Sequence, residues 1–228
     1  VGDLLLRWAS QRLADGTGRL WERAGSSALY APNLGRDRLI VSGDPRTVVT
    51  LVRAAVAELG PRVPVVGDSA LVEEIAPELP EFDQAVRFGW MDTCAPVPAE
   101  PRAGWFDGDP AEIEALLAVA NPDSWVWPGD GAARRWAAVR VDDKLAAVAA
   151  DVWSAPEVGF LGGVGTHPGH RGTGLGGAVC AFLTRELVAG HGAAALVVGG
   201  SNTAAVRLYE RLGYRYRPQT ALRLTSAG

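Results

Sequence analysis

Seven consecutive residues, Arg171-Gly172-Thr173-Gly174-Leu175-Gly176-Gly177, form the stretch of this chain best suited to chemistry. An apolar, glycine-bounded run over 160–166 leads into them through His167-Pro168-Gly169, which is turn chemistry. After them Leu175, Val179, Phe182, Leu183 and Leu187 fall on one face of a helix. A strand, a glycine loop and a helix N-terminus make an anion site. The first N–H groups of a helix lack internal acceptors and lie at the positive end of its dipole. Glycines let a phosphate reach those amides without meeting a Cβ, and Arg171 adds a cation. Glycine also weakens helices, so five of them between Gly169 and Gly177 argue for a ligand rather than a bare turn.

Three phosphate loops compete for these residues. A P-loop needs a lysine after its last glycine, and Lys144 is the only lysine in the chain. Gly172-x-Gly174-x-x-Gly177 matches the dinucleotide pattern, but that pattern wants an acid closing the next strand. Here the run 194–198 ends in Gly199-Gly200-Ser201. Arg171-x-x-Gly174-x-Gly176 resembles the acyl-CoA pyrophosphate loop of the GNAT superfamily of N-acetyltransferases. A second stretch carries the same resemblance: Asn202 opens a helical pattern that continues through Leu208-Tyr209-Glu210-Arg211-Leu212 and stops at Gly213-Tyr214. Asn202 suits an N-cap and Gly213 a C′ stop. The two motifs stand in the family's order, and the resemblance covers the chain from about Pro101 onward.

The resemblance implies acetyl-CoA as cosubstrate and an amine as acceptor. It assigns the pyrophosphate to His170, Arg171, Gly172, Thr173, Gly174, Leu175, Gly176 and Gly177. The pantetheine arm falls to the strand backbone at Val164, Gly165 and Thr166, and the thiol end to Asn202. It makes Tyr209 the acid that protonates the leaving thiolate. Glu157, near a glutamate that some family members use, is the first candidate for base, and Asp151 on the neighbouring strand is the second. Trp125, Trp127 and Trp153 offer flat apolar surface for an acceptor or for plain packing. His167 and His170 show no third partner, so no metal is expected. His191, between two glycines, suits a helix C-terminus.

The elements that must position these groups divide the chain. Pro96-Val97-Pro98-Ala99-Glu100-Pro101 reads as a stiff linker. Residues 102–228 follow the GNAT order in a mixed sheet of α/β (α+β) class. A strand near Trp105 precedes a helix capped by Asp109-Pro110. A hairpin over 134–153 turns at Asp142-Asp143, and the central strand and helix follow. Two short strands, 214–217 and 221–224, close the chain. Residues 1–95 read as a smaller βαβα domain. A helical stripe starts at Leu4, a strand at Arg38 leads to a helix capped by Asp44-Pro45, and a strand at Val63 leads to a helix running to Leu79. The run 82–91 reads as a strand. No second copy of the arginine–glycine loop appears in this half, which gives little support to a decayed repeat.

Composition bounds the function. With 48% hydrophobic residues and a net charge of −4, the chain lacks the basic face a nucleic-acid binder needs. Cys94 and Cys180 are far apart, as in a reducing cytoplasm. No run reaches the length of a membrane span, and the first segment lacks the basic start and apolar stretch of a signal peptide. The opening Val1 points to trimming, and the richness in Ala, Gly and Arg resembles GC-rich bacterial coding. The expected function is transfer of an acetyl group from acetyl-CoA to a primary amine. The alternative is a non-catalytic module that binds CoA as a sensor or partner.

Overall fold

The computed structural model describes residues 3–224. Two short helices, α1 (Leu4–Ala9) and α2 (Gln11–Ala14), precede a hairpin of β1 (Arg19–Arg23) and β2 (Ser26–Ala31). β3 (Arg38–Ser42) runs into α3 (Pro45–Leu59), where the Asp44 carboxylate accepts the Thr47 N–H at 3.0 Å. β4 (Val65–Asp68), α4 (Ser69–Ile75) and β5 (Gln84–Thr93) follow. Then come β6 (Ala103–Trp105) and α5 (Pro110–Ala120), the latter capped by Asp109. The hairpin of β7 (Ala133–Val141) and β8 (Lys144–Val152) turns on Asp142 and Asp143, both at positive φ. β9 (Gly159–Thr166), α6 (Leu175–His191), β10 (Ala194–Gly199), α7 (Thr203–Arg211) and β11 (Arg215–Arg223) complete the order.

The class is mixed α/β, and the chain forms two compact units. One takes residues up to Trp90 together with 198–203 and the chain from Tyr216 onward. The other takes 91–197 and 204–215, and so includes the Pro96–Pro101 segment. In the first unit the strands lie in the order β1-β2-β3-β4-β11, with β3 and β4 parallel and the other neighbours antiparallel. Val48 and Val52 of α3 and Val72 and Ile75 of α4 share its core with Leu222 of β11. In the second unit the order is β10-β9-β8-β7-β6, with only β9 and β10 parallel. α5 lays Ile113, Leu116 and Leu117 on Ala138 and Val148. α6 covers the opposite face, where Phe182 meets the Trp105 ring edge-on at 5.3 Å.

Three elements differ from the sequence reading. The β1–β2 hairpin was not anticipated, because β1 is exposed along most of its length and shows no alternation. Its turn, Ala24-Gly25, is left-handed at both residues without the usual Asn or Asp. The helix expected to reach Leu79 stops at Ile75, and Pro77 lies in the 3₁₀ turn Ala76–Glu78 that follows. The two closing strands are one, β11, which continues past Pro218 because Gln219 to Leu222 pair with Asp68 to Val65 of β4.

Candidate functional site

β9 is the strand on which the site is built, and a bulge shapes it. Val148 faces Gly165 and Ala150 faces Gly162, so β9 spends three steps where β8 spends two. Gly163 takes the strain at φ 58°, and a Cβ there would meet the Trp136 ring at 2.8 Å. The extra residue reverses the alternation of side chains. Before it, Gly159 faces Leu187 and His191 of α6; after it, Gly165 faces Leu117 and Ala120 of α5.

β9 and β10 pair at Gly159↔Ala194 and Phe160↔Ala195, and at no further position among the described residues. The strands therefore part after Phe160, and the backbone of 161–166 on that side is left for another partner. This is the wedge that the resemblance assigns to a pantetheine arm, and Val164, Gly165 and Thr166 lie along it. Asn121 reaches in from the end of α5 and donates Nδ2–H to the Val164 carbonyl at 3.1 Å.

The loop after β9 is an open cradle. His167 Nδ1 accepts the Gly169 N–H at 3.1 Å, and the Thr173 hydroxyl donates to the His170 carbonyl at 2.6 Å. Arg171 Nη2 donates to the Ala120 carbonyl at 3.0 Å, which ties the loop to α5. Gly172 and Gly174 sit at φ 78° and 84°, where a Cβ would meet nothing within 4 Å. No side chain caps α6. The bond from Ala178 N–H to Gly174 O closes its first turn, which puts the amides of Leu175, Gly176 and Gly177 ahead of it. At Gly176 a Cβ would lie 2.7 Å from Thr166 Oγ1, so glycine is what lets the helix start against β9. An anion with room to approach, at the positive end of a helix of 17 residues, fits this arrangement.

The proposed catalytic groups stand in different surroundings. Tyr209 is 6% exposed, its ring 5.7 Å from that of Tyr214. Its hydroxyl and the Cys180 thiol are hydrogen-bonded to each other. The Tyr214 and Thr184 hydroxyls share a hydrogen bond of 3.0 Å, and Thr184 also donates to the Cys180 carbonyl at 2.7 Å. Burial pushes the Tyr209 phenol well above its ordinary range and the Cys180 thiol up to about 12. Tyr214 is raised for the same reason. An unfolded chain would release these protons from about pH 8.5 for Cys and 10 for Tyr. The folded chain keeps them, so their stabilisation is complete below those values and is lost as pH rises through them. Each group contributes up to about 1.4 kcal/mol per pH unit. Urea midpoints should fall between pH 8 and 10.5, and less steeply in Cys180→Ala; equal slopes would remove Cys180 from the account.

Glu157 is exposed and lies in the turn closed by the Ala155–Val158 bridge, two residues before β9. Asp151, on β8 opposite Leu161, is buried and accepts the Ser154 hydroxyl on Oδ1. Trp153 packs against Phe160, Trp127 joins the α5 core, and Trp125 is 51% exposed. Asn202 immediately precedes α7, its N–H bonded to the Gly199 carbonyl, and belongs to the 198–203 segment. Gly213, at φ 86°, ends the helical stretch as its sequence implies. Sequence reasoning missed Asn121, whose hydrogen-bond partner lies 43 residues away, and Trp136 beneath the bulge.

Residues 140–223 match the protein-family model described as FR47-like protein. A GCN5-related N-acetyltransferase from Kribbella flavida shares the fold at 21% identity, with a TM-score of 0.61 over 97% of this chain and 95% of its own. A GNAT-family acetyltransferase structure from Novosphingobium aromaticivorans does so at 22% identity, with a TM-score of 0.58 over 85% and 89%. The fold is thus the GNAT fold, in agreement with the resemblance carried by the loop and the α7 segment. Mycothiol acetyltransferases of Mycobacterium avium and Mycolicibacterium paratuberculosis are each 37% identical over 135 residues, 55% of this chain and 36% of theirs. The chain spans little more than a third of the length of these curated relatives. No described helix is long and apolar enough to cross a membrane.

Proposed function

We propose that this chain carries an N-acetyltransferase site that moves an acetyl group from acetyl-CoA to a primary amine in the cytoplasm. The uncapped, glycine-lined start of α6 beside a strand that parts from its neighbour is the observation that carries this reading. Bound acetyl-CoA would supply an activated thioester carbonyl. The amides of Leu175, Gly176 and Gly177 would hold its pyrophosphate, with His170 to Gly174 shaping the cradle. The backbone of Val164 to Thr166 would bind the pantetheine as an added strand. Tyr209, which burial keeps protonated at working pH, would donate the proton to the leaving thiolate. Glu157 is the proposed proton acceptor. The site residues before 198 and the Tyr209 helix would function as one domain beginning after Pro101.

A second reading has its own support. Glu157 lies in an exposed turn, and the Tyr209 hydroxyl is engaged with Cys180. Both facts suit a module that binds CoA without turnover. Thermal shift with CoA, followed by a free-thiol assay across a panel of amines, separates the two. Stabilisation with thiol release supports the enzyme, stabilisation without release supports the binding module, and no stabilisation rejects both.

Asn121 offers a further test. Its bond to the Val164 carbonyl fixes the bulge from the α5 side, and one such bond contributes about 0.5–1.5 kcal/mol. Asn121→Ala should weaken CoA binding roughly three- to tenfold in calorimetry while leaving kcat nearly unchanged. Unaltered affinity would show that the bulge holds itself.

A further inference from the structure

At the far end of α6 from the glycine loop lies a cleft of about 370 Å³, lined by Trp105, Arg134, Arg135, Asp151, Glu186 and His191. Its lining residues on α6, Glu186 to His191, lie roughly 17–24 Å along the helix from Leu175. It lies on the α6 face of the sheet, opposite the face that holds Trp136, Val126 and α5. Asp151 and Arg135 are direct partners across β7 and β8, so both project to that face. Arg134 falls in the irregularity between Ala133 and Arg135. Glu186 and His191 come from the last turns of α6.

Cationic and anionic side chains meet in this cleft. Here Arg134, Asp151 and Glu186 make no ion pair among the described residues. Arg135 is stacked over the Trp105 ring at 3.8 Å, which holds its guanidinium at the mouth. Asp151 is only 7% exposed. One of its oxygens accepts the Ser154 hydroxyl, and Ser154 Oγ in turn accepts the Phe160 N–H at 2.8 Å. A carboxylate this deep favours a cation beside it. Glu186 and the negative end of the α6 dipole add to the preference for a cation at the inner wall, while the two arginines favour an anion at the rim.

We propose that this cleft binds a small zwitterion of the amino-acid type. Its ammonium group is held by Asp151 with Glu186, and its carboxylate by Arg134 and Arg135. The volume is at the small end of ligand sites and suits a molecule of that size. The site is separate from the glycine loop, and it takes Asp151 as a binding group in place of the base that the resemblance offers.

Calorimetry and thermal shift with glycine, L-alanine, L-lysine, L-glutamate and β-alanine at about 10 mM test it, with ethylamine and propionate as controls. At least one amino acid should bind, and each control at least about tenfold more weakly. Asp151→Asn keeps the acceptor for Ser154, so it should melt near wild type yet lose at least about tenfold in affinity. It should also retain the CoA-induced shift. Arg134→Gln alters an exposed side chain and gives a second measure, an equal or smaller loss, should Asp151→Asn fold poorly. No response to any amino acid overturns the proposal. So does equal binding of ethylamine, or wild-type affinity in both variants.

Discussion

CoA should raise the melting temperature of the wild-type chain, and Gly174→Asp should abolish the rise. A ligand at a hundred times its Kd stabilises the native state by about 2.7 kcal/mol. For a chain of this size that is roughly 5–10 °C. Gly174 lies in the left-handed region at φ 84° with open space where a Cβ would go. Asp tolerates that conformation better than most residues, so the strain is about 1 kcal/mol. The larger effect is on the ligand: a carboxylate among the amides of 175–177 repels a pyrophosphate and takes its hydrogen bonds. Gly174→Asn has nearly the same size and backbone preference but no charge. It should bind weakly yet measurably, and the gap between Asn and Asp is the electrostatic part. A CoA shift in Gly174→Asp equal to wild type would move the anion site elsewhere.

Tyr209→Phe should lower turnover by roughly 10²–10⁴-fold, the usual range for a lost general acid. Tyr209 sits in the second unit with Cys180, Thr184 and Tyr214, and its ring packing survives the change to Phe. One hydrogen bond, to the Cys180 thiol, goes with the hydroxyl, so the melting temperature should fall by only a few degrees. CoA affinity should stay the same. Because burial holds the phenol protonated, wild-type activity should show no alkaline limb from Tyr209 below about pH 10. Turnover within about threefold of wild type would make Tyr209 a packing residue and leave the thiolate to be protonated by water.

Much of the fold was legible because its punctuation is local. Asp44-Pro45 and Asp109-Pro110 start helices, Gly60 and Gly213 end them, and Asp142-Asp143 makes the hairpin turn through a left-handed pair. Each of these acts over four residues or fewer, within reach of a sequence pattern. The glycine loop was legible for the same reason. The β1–β2 hairpin was not, since an exposed strand has no burial to impose a period of two. Neither was the bulge at Gly163, although it decides which face every later residue of β9 occupies. Alternation counted back from Thr166 is reversed once it passes Gly163. The Asp151 cleft draws on three strands and one helix, and its residues have no spacing in common.

The parting of β9 from β10 also bears on how the chain survives without a cofactor. A strand edge that offers free N–H and C=O groups invites pairing with any extended peptide, including another copy of itself. Here the run not paired to β10 contains Gly162, Gly163 and Gly165, residues with little tendency to remain extended, and a left-handed kink lies in its middle. A flat intruding strand would lose register at that kink, whereas a flexible arm with a few polar groups need not keep one. These glycines therefore guard the wedge against self-association.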